Sequence, residues 1–243
     1  MKKIPGEIIE KGDITIKSDS KQQPYLIRML DKNDLRAIME LQDNVLAKIE
    51  KREFCVPIPA KEMQLMFGDK GESVGLFCED KLYAACSLLF DIDYENNMAR
   101  EVDFSNEELS LVAQLELSLV DFDLRGHKLQ QKLAEILAQR AEKRKQSRYL
   151  FTTVSPYNYA SIRTVTSMGL YIAKLCKMYY DWDRYVVYKD FLKPIKLDTA
   201  NPVSIPSTWL AEQKQLLNDG YRGFSQYQVK NDIMIMFAKI ISG

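Results

Sequence analysis

Arg125 and Gly126 stand at a seam in the chain. Before them runs LVAQLELSLV (111–120), apolar and strand-like, and after them a helical pattern extends over 126–146. A strand that hands the chain to a helix start leaves backbone N–H groups without intrahelical partners, and the positive end of the helix dipole favours an anion there. The hexapeptide RGHKLQ (125–130) adds two cations, Arg125 and Lys128, each able to pair with a phosphate or to point to solvent. Upstream, Glu116 interrupts the apolar strand. Burial raises a carboxylate's pKa toward neutrality, which suits a proton acceptor, and an outward or ion-paired placement is the alternative. Downstream, Asn158 follows the strand-like YLFTTV (149–154) and Pro156, where its side-chain oxygen can cap a helix.

Other chemistries are poorly served. The four cysteines, Cys55, Cys78, Cys86 and Cys176, include no C-x-x-C pair, and there is one histidine, so a zinc site would need scattered ligands. Cys78 and Cys86 lie in apolar runs and read as buried thiols of a reducing, cytoplasmic setting. Thirty-four basic residues balance thirty-four acidic ones, which gives no bulk reason to expect nucleic acid or an anionic membrane as partner. The first residues, MKKIPGEIIEKGD, lack the apolar core of a signal peptide, and no apolar run is long enough to span a bilayer.

The elements that must position these residues follow from periodicity. Residues 1–24 are polar and read as a loosely attached leader. YLIRML (25–30) is a strand, and Asp31 or Asn33 caps a helix carried by Leu35, Ile38, Met39, Leu41, Val45 and Ile49. A short helix over 60–67 places Met63, Met66 and Phe67 in a core or beside a pocket. VGLFCED (74–80) and KLYAACSLLF (81–90) form a hairpin. After the long helix, whose stripe is Leu129, Leu133, Ile136, Leu137 and Arg140, the basic Lys143-Arg144-Lys145 suits a solvated C-terminal end. A helix from Asn158 to a Gly169 cap precedes strands over 171–180 and 184–191. Prolines 194, 202 and 206 mark a linker into a C-terminal extension, 192–243, and no internal repeat is visible. The expectation is an α/β (α+β) fold, a mixed sheet of six to seven strands flanked by helices, with a small appendage.

This order, with two local motifs, resembles the GCN5-related N-acetyltransferase (GNAT) family over 25–191. In the family an apolar strand with Val near its end is followed by Arg or Gln, two residues, Gly, one residue, and Gly or Ala. Leu119-Val120 ends the strand here and Arg125-Gly126 opens the loop, but the two later glycine positions hold Lys128 and Gln130. The second motif is a strand, Asn, a small residue three further on, and Gly eleven further on before an apolar residue. Asn158, Ser161, Gly169 and Leu170 occupy those places.

The resemblance implies a centrally splayed sheet and direct transfer of acetyl from acetyl-coenzyme A to an amine of a small molecule or peptide, without a metal. It implies a pantetheine arm between 117–120 and 151–154, and a backbone N–H near Leu119 or Val120 that polarises the thioester carbonyl. It further implies pyrophosphate contacts from Arg125, Gly126, His127, Lys128, Leu129 and Gln130, and cofactor contacts from Asn158 and Ser161. Glu116 takes the place of the base. The family's leaving-group acid, a Tyr seven residues after the Asn, is replaced by Val165, so that Tyr159, Tyr157, Tyr171 or a water serves, the thiolate leaves unaided, or catalysis is weak. Lys128, Gln130 and Val165 keep one rival in play, a GNAT-fold acyl-coenzyme A-binding regulatory module of weak turnover, and a second rival is a non-catalytic interaction protein whose C-terminal extension docks a partner. The extension 192–243 can cover the acceptor cleft or build a homodimer interface.

Overall fold

The computed structural model describes residues 6–18, 20–144 and 146–241. Along them run β1 (Ile8–Ile16), β2 (Lys21–Met29), α1 (Leu35–Lys48), α2 (Ala60–Met63), β3 (Gly71–Cys78), β4 (Lys81–Phe90), α3 (Asn106–Leu109), β5 (Val112–Val120), α4 (Leu129–Lys143) and β6 (Tyr149–Val154). There follow α5 (Tyr159–Ser167), β7 (Tyr171–Met178), β8 (Trp182–Asp190), β9 (Leu197–Pro206), α6 (Leu210–Asn218), β10 (Tyr221–Val229) and β11 (Asp232–Ile240). The expected class, mixed strands flanked by helices, holds, with eleven strands among the described residues where six or seven were expected. The chain divides into two compact units, 1–91 with 115–145 and 92–114 with 146–243, a different line from the boundaries expected at 24/25 and 191/192.

In the first unit β1, β2, β3 and β4 pair antiparallel in sequence order. The loosely attached leader is therefore corrected. Residues 8–16 form a strand whose Ile14 and Ile16 are buried, paired from Ile8↔Arg28 to Ile16↔Lys21, while residues 1–5 and Asp19 lie outside the described ones. The alternation that buries Ile14 and Ile16 was legible in GDITI, but the polar residues around it masked the strand.

α1 keeps its helical stripe and buries Ile38, Leu41 and Val45 against Leu30, Met63, Met66, Phe77, Leu82, Leu117 and Leu119. Met63 and Met66 are thus core residues rather than pocket lining, and Phe67 packs at the core's margin. α4 packs on β3 and β4 with Leu129, Leu133 and Leu137 buried. Its Arg140, 8% exposed, donates through Nε to the Glu72 carboxylate, 2% exposed, at 2.5 Å. The helix end is not simply solvated: Arg144 donates to the other Glu72 oxygen at 3.2 Å and lies over the Phe90 ring, and Lys145 falls outside the described residues.

In the second unit the strand order is β6-β8-β7-β10-β11-β9, with the first residues of β5 parallel to β6 through Val112↔Tyr149, Ala113↔Leu150 and Gln114↔Phe151. Its aromatic core packs Phe104, Tyr149, Phe151 and Tyr188 around one another. Gln114 is buried as a staple for the 92–109 segment: its Oε1 accepts from the Met98 N–H at 2.9 Å and its Nε2 donates to the Asn96 carbonyl at 3.2 Å.

This unit contains the internal repeat that the sequence did not show. β6-α5-β7-β8 and β9-α6-β10-β11 are the same strand–helix–hairpin, with α5 starting at Tyr159 and α6 at Leu210, fifty-one residues on. Both helices end on a left-handed glycine, Gly169 (φ 79°) and Gly220 (φ 86°), with the same spacing. The β7–β8 ladder shifts register between Ile172 and Lys174, and the β10–β11 ladder between Gly223 and Ser225, the equivalent positions. The two copies join where Ile172 pairs with Gly223, an equivalent residue with its counterpart, as a local two-fold relation requires. A β-carbon on Gly223 would meet the Ile172 side chain at 2.9 Å, so the close approach needs glycine.

Candidate active site

In the first unit β5 carries Glu116 half-buried between the buried Leu115 and Leu117. The Leu119 side chain, 1% exposed, is core, so any role for it is through its backbone. Strand alternation puts Leu117 and Leu119 on the α1 side and leaves Ser118 exposed on the other. At the strand's end the Asp121 N–H donates to the Tyr83 carbonyl at 2.8 Å, and the Asp121 carboxylate accepts from the Asp123 N–H at 3.0 Å. That caps a single 3-10 turn, Phe122–Leu124, ahead of the loop.

The loop itself resolves the question of the missing glycines. Gly126 has φ 97°, and Lys128, at the first later glycine position, has φ 57° and ψ 25°, in the left-handed region that glycine adopts without steric cost. The backbone thus takes a conformation that glycine favours, with a lysine bearing the strain. Lys128 is the N-cap residue of the fifteen-residue α4 and makes no side-chain cap, so the helix start carries the positive end of the dipole without a side-chain acceptor from its own cap. Substituting Lys128→Gly should relieve the strained conformation and raise stability by about 0.5–1 kcal/mol. Denaturant unfolding followed by amide exchange in α4 checks this, and a loss of stability would show that the lysine side chain holds the loop in place.

The side chains of the loop divide in their uses. The Arg125 guanidinium lies over the Phe122 ring, 3.5 Å from its centroid, where it is engaged by a stacking partner. His127 donates from Nε2 to the Thr15 carbonyl at 3.1 Å, since a ring nitrogen facing a carbonyl must carry the hydrogen. Lys128 is exposed, Leu129 is buried in the core, and Gln130 is half-buried in the first turn of α4. β1, placed in the leader by the sequence reading, reaches this loop: besides Thr15, the Lys17 N–H donates to the Asp123 carbonyl at 3.1 Å. One turn into α4, Lys132 and the Tyr25 hydroxyl both donate to the Glu10 carboxylate of β1. The Lys132 ammonium holds the Glu10 carboxyl below the ordinary glutamate range.

In the second unit Asn158 is the N-cap of α5, its Oδ1 accepting from the Ser161 N–H at 3.1 Å. Leu170 donates its N–H to the Val165 carbonyl at 3.1 Å past the Gly169 cap, closing the helix as its glycine predicts. Val165, where the family carries its acid, is 5% exposed and packed inside. Tyr171 is 5% exposed and edge-on to Tyr188 at 4.5 Å, and burial pushes its hydroxyl pKa far up, so it serves packing. Tyr159, the first residue of α5, and Tyr157, which donates its N–H to the Ser155 hydroxyl, are half-buried. Among the described residues no three His, Cys, Asp or Glu gather as a metal site, and no helix is long and apolar enough to cross a membrane.

No protein-family model matches the sequence, and no curated protein matches it. Solved structures do. The ribosomal-protein-S18-alanine N-acetyltransferase from Escherichia coli is 20% identical, with a TM-score of 0.52 over 69% of this chain and 94% of its own. An acetyltransferase of the GNAT family from Streptococcus pneumoniae is 16% identical, with a TM-score of 0.53 over 68% of this chain and 99% of its own. Arabidopsis thaliana NAA60, solved in complex with acetyl-CoA, is 12% identical, with a TM-score of 0.57 over 70% of this chain and 99% of its own. Each is matched nearly whole by about two thirds of this chain, which leaves room for its added segments. The chain has the fold of the GNAT acetyltransferases.

Proposed function

We propose that this protein is an acetyl-coenzyme A-dependent N-acetyltransferase. The observation that carries the reading is the β5–α4 junction, where Gly126 and Lys128 are both left-handed and lead into an N-terminus without a side-chain cap on a fold shared with acetyltransferases. Backbone N–H groups at such a helix start fit a pyrophosphate. In this reading the coenzyme A pyrophosphate is held by residues 125–130, with Lys128 as an exposed cation, beside the backbone of Leu119 and Val120. Asn158 and Ser161 keep the cofactor contacts that the resemblance implies, and the Asn158 Oδ1 also caps α5 by accepting from the Ser161 N–H. The amine nitrogen bonds to the acetyl carbon, the C–S bond breaks, Glu116 takes the amine's proton, and the thiolate gains one from Tyr159 or from water. The acceptor is an amine of a small molecule or peptide.

The burial of Val165 favours a second reading, an acyl-coenzyme A-binding module with slow turnover, because no proton donor stands at that position. Melting the protein with acetyl-coenzyme A and with coenzyme A tests both. A ligand at one hundred times its dissociation constant should stabilise by about 2.7 kcal/mol. Thiol release against a panel of amines then separates enzyme from module, and no stabilisation by either ligand would sink both.

A further inference from the structure

The β1–β2 hairpin is attached to the phosphate loop at several points, and the attachment places a cation there. The Lys17 N–H donates to the Asp123 carbonyl at 3.1 Å, and His127 donates to the Thr15 carbonyl at 3.1 Å. Glu10, further along the same strand, takes hydrogen bonds from Lys132 of α4 and from Tyr25 of β2. These contacts hold the end of β1 and Lys17 against residues 123–127. The Lys17 ammonium comes within 4.0 Å of where a β-carbon on Gly126 would stand. Lys17 is exposed and carries no ion pair among the described residues. Arg125, one of the two cations that the loop itself supplies, is meanwhile stacked on Phe122.

We propose that Lys17 is a phosphate ligand of the coenzyme A site, its ammonium meeting the pyrophosphate beside Gly126. The inference rests on the acetyl-coenzyme A reading. A loop in which one of the usual glycines has become Lys128 and another Gln130 admits a phosphate less closely to its backbone, because each side chain adds a β-carbon. A charge from the neighbouring hairpin restores the attraction without requiring that close approach, since an ammonium acts on phosphate as a point charge. The segment that reads as a loosely attached leader becomes part of the proposed binding site.

The test is calorimetric titration of the full chain with coenzyme A and with dephospho-coenzyme A, which keeps the pyrophosphate and lacks the 3′-phosphate. Lys17→Ala should weaken both ligands by about 10-fold, the lower end for a hydrogen bond to a charged group. Lys17→Glu should weaken them further, and Lys17→Arg should stay near wild type. A loss seen with coenzyme A but absent with dephospho-coenzyme A would overturn the assignment in favour of the 3′-phosphate. Wild-type affinity in Lys17→Glu would remove Lys17 from the site while leaving the acetyl-coenzyme A reading intact. A wild-type chain that binds neither ligand would bring down that reading and this inference with it. The backbone bond from Lys17 survives every substitution, so an unchanged melting temperature without ligand shows that the hairpin has stayed in place.

Discussion

Arg140→Met should destabilise the first unit by about 3 kcal/mol, the lower end of the range for breaking a buried ion pair. The cost comes mostly from the partner left behind. Glu72 is 2% exposed on β3, and its Oε2 would lose the Arg140 Nε donor with no water to replace it. Arg144 on the other Glu72 oxygen, at 3.2 Å, keeps the loss from reaching the upper end. Combining Arg140→Met with Glu72→Leu should recover most of the stability, because the desolvation cost of both charges disappears together. A double-mutant cycle measures the coupling. The probe matters here. Both tryptophans, Trp182 and Trp209, lie in the second unit, so their fluorescence would report on the wrong part of the chain. Amide exchange in α4 reports on the right one. A single substitution that costs less than about 0.5 kcal/mol, the size of a neutral surface change, would show that Glu72 finds other donors.

Arg140 also shows where sequence reading stops. Its position on the apolar stripe of α4 was legible, and a charged residue there implies a buried partner, but Glu72 lies sixty-eight residues away and nothing local names it. The elements that carry strong local signals came through: β5 as an apolar strand, the Asn158 cap, the Gly169 stop and the 74–90 hairpin. Those signals are covalent-neighbour effects, capping and handedness, which a linear string contains.

The second copy in the C-terminal segment did not come through. Between residues 154–173 and 205–224 only Ala160/Ala211 and Gly169/Gly220 are identical. What persists is backbone conformation, a left-handed glycine after nine helical residues and a register shift at one ladder position, and many sequences satisfy those. Trp209 stands where Asn158 stands in the first copy, 55% exposed and without a side-chain cap, so the copy repeats the scaffold and not the proposed ligand contact. Lys128 gives the converse lesson. A sequence comparison counts it against the phosphate loop, whereas its φ of 57° shows the backbone following the path that glycine would take.

Glu116→Gln should lower kcat by about 100-fold to 10,000-fold, the usual share of general base catalysis, and leave the affinity for acetyl-coenzyme A unchanged. The substitution keeps shape and hydrogen-bonding reach and removes only the ability to hold a proton. Glu116 sits half-buried on β5, four residues before Val120, between two leucines that are buried. Gln at this place should therefore leave the strand and the loop beyond it where they are, which unchanged binding would confirm. The split between the two readouts identifies the role. A fall in kcat with constant affinity is what removing the proton acceptor predicts, because the acceptor acts on the amine and not on the nucleotide. A parallel loss of affinity would instead mark Glu116 as a residue that shapes the strand. Raising the pH separates the remaining alternatives: an amine that is already deprotonated needs no base, so the defect should shrink as pH approaches the acceptor's own pKa. A defect of constant size across that range, or wild-type turnover in Glu116→Gln, would take the base away from this strand.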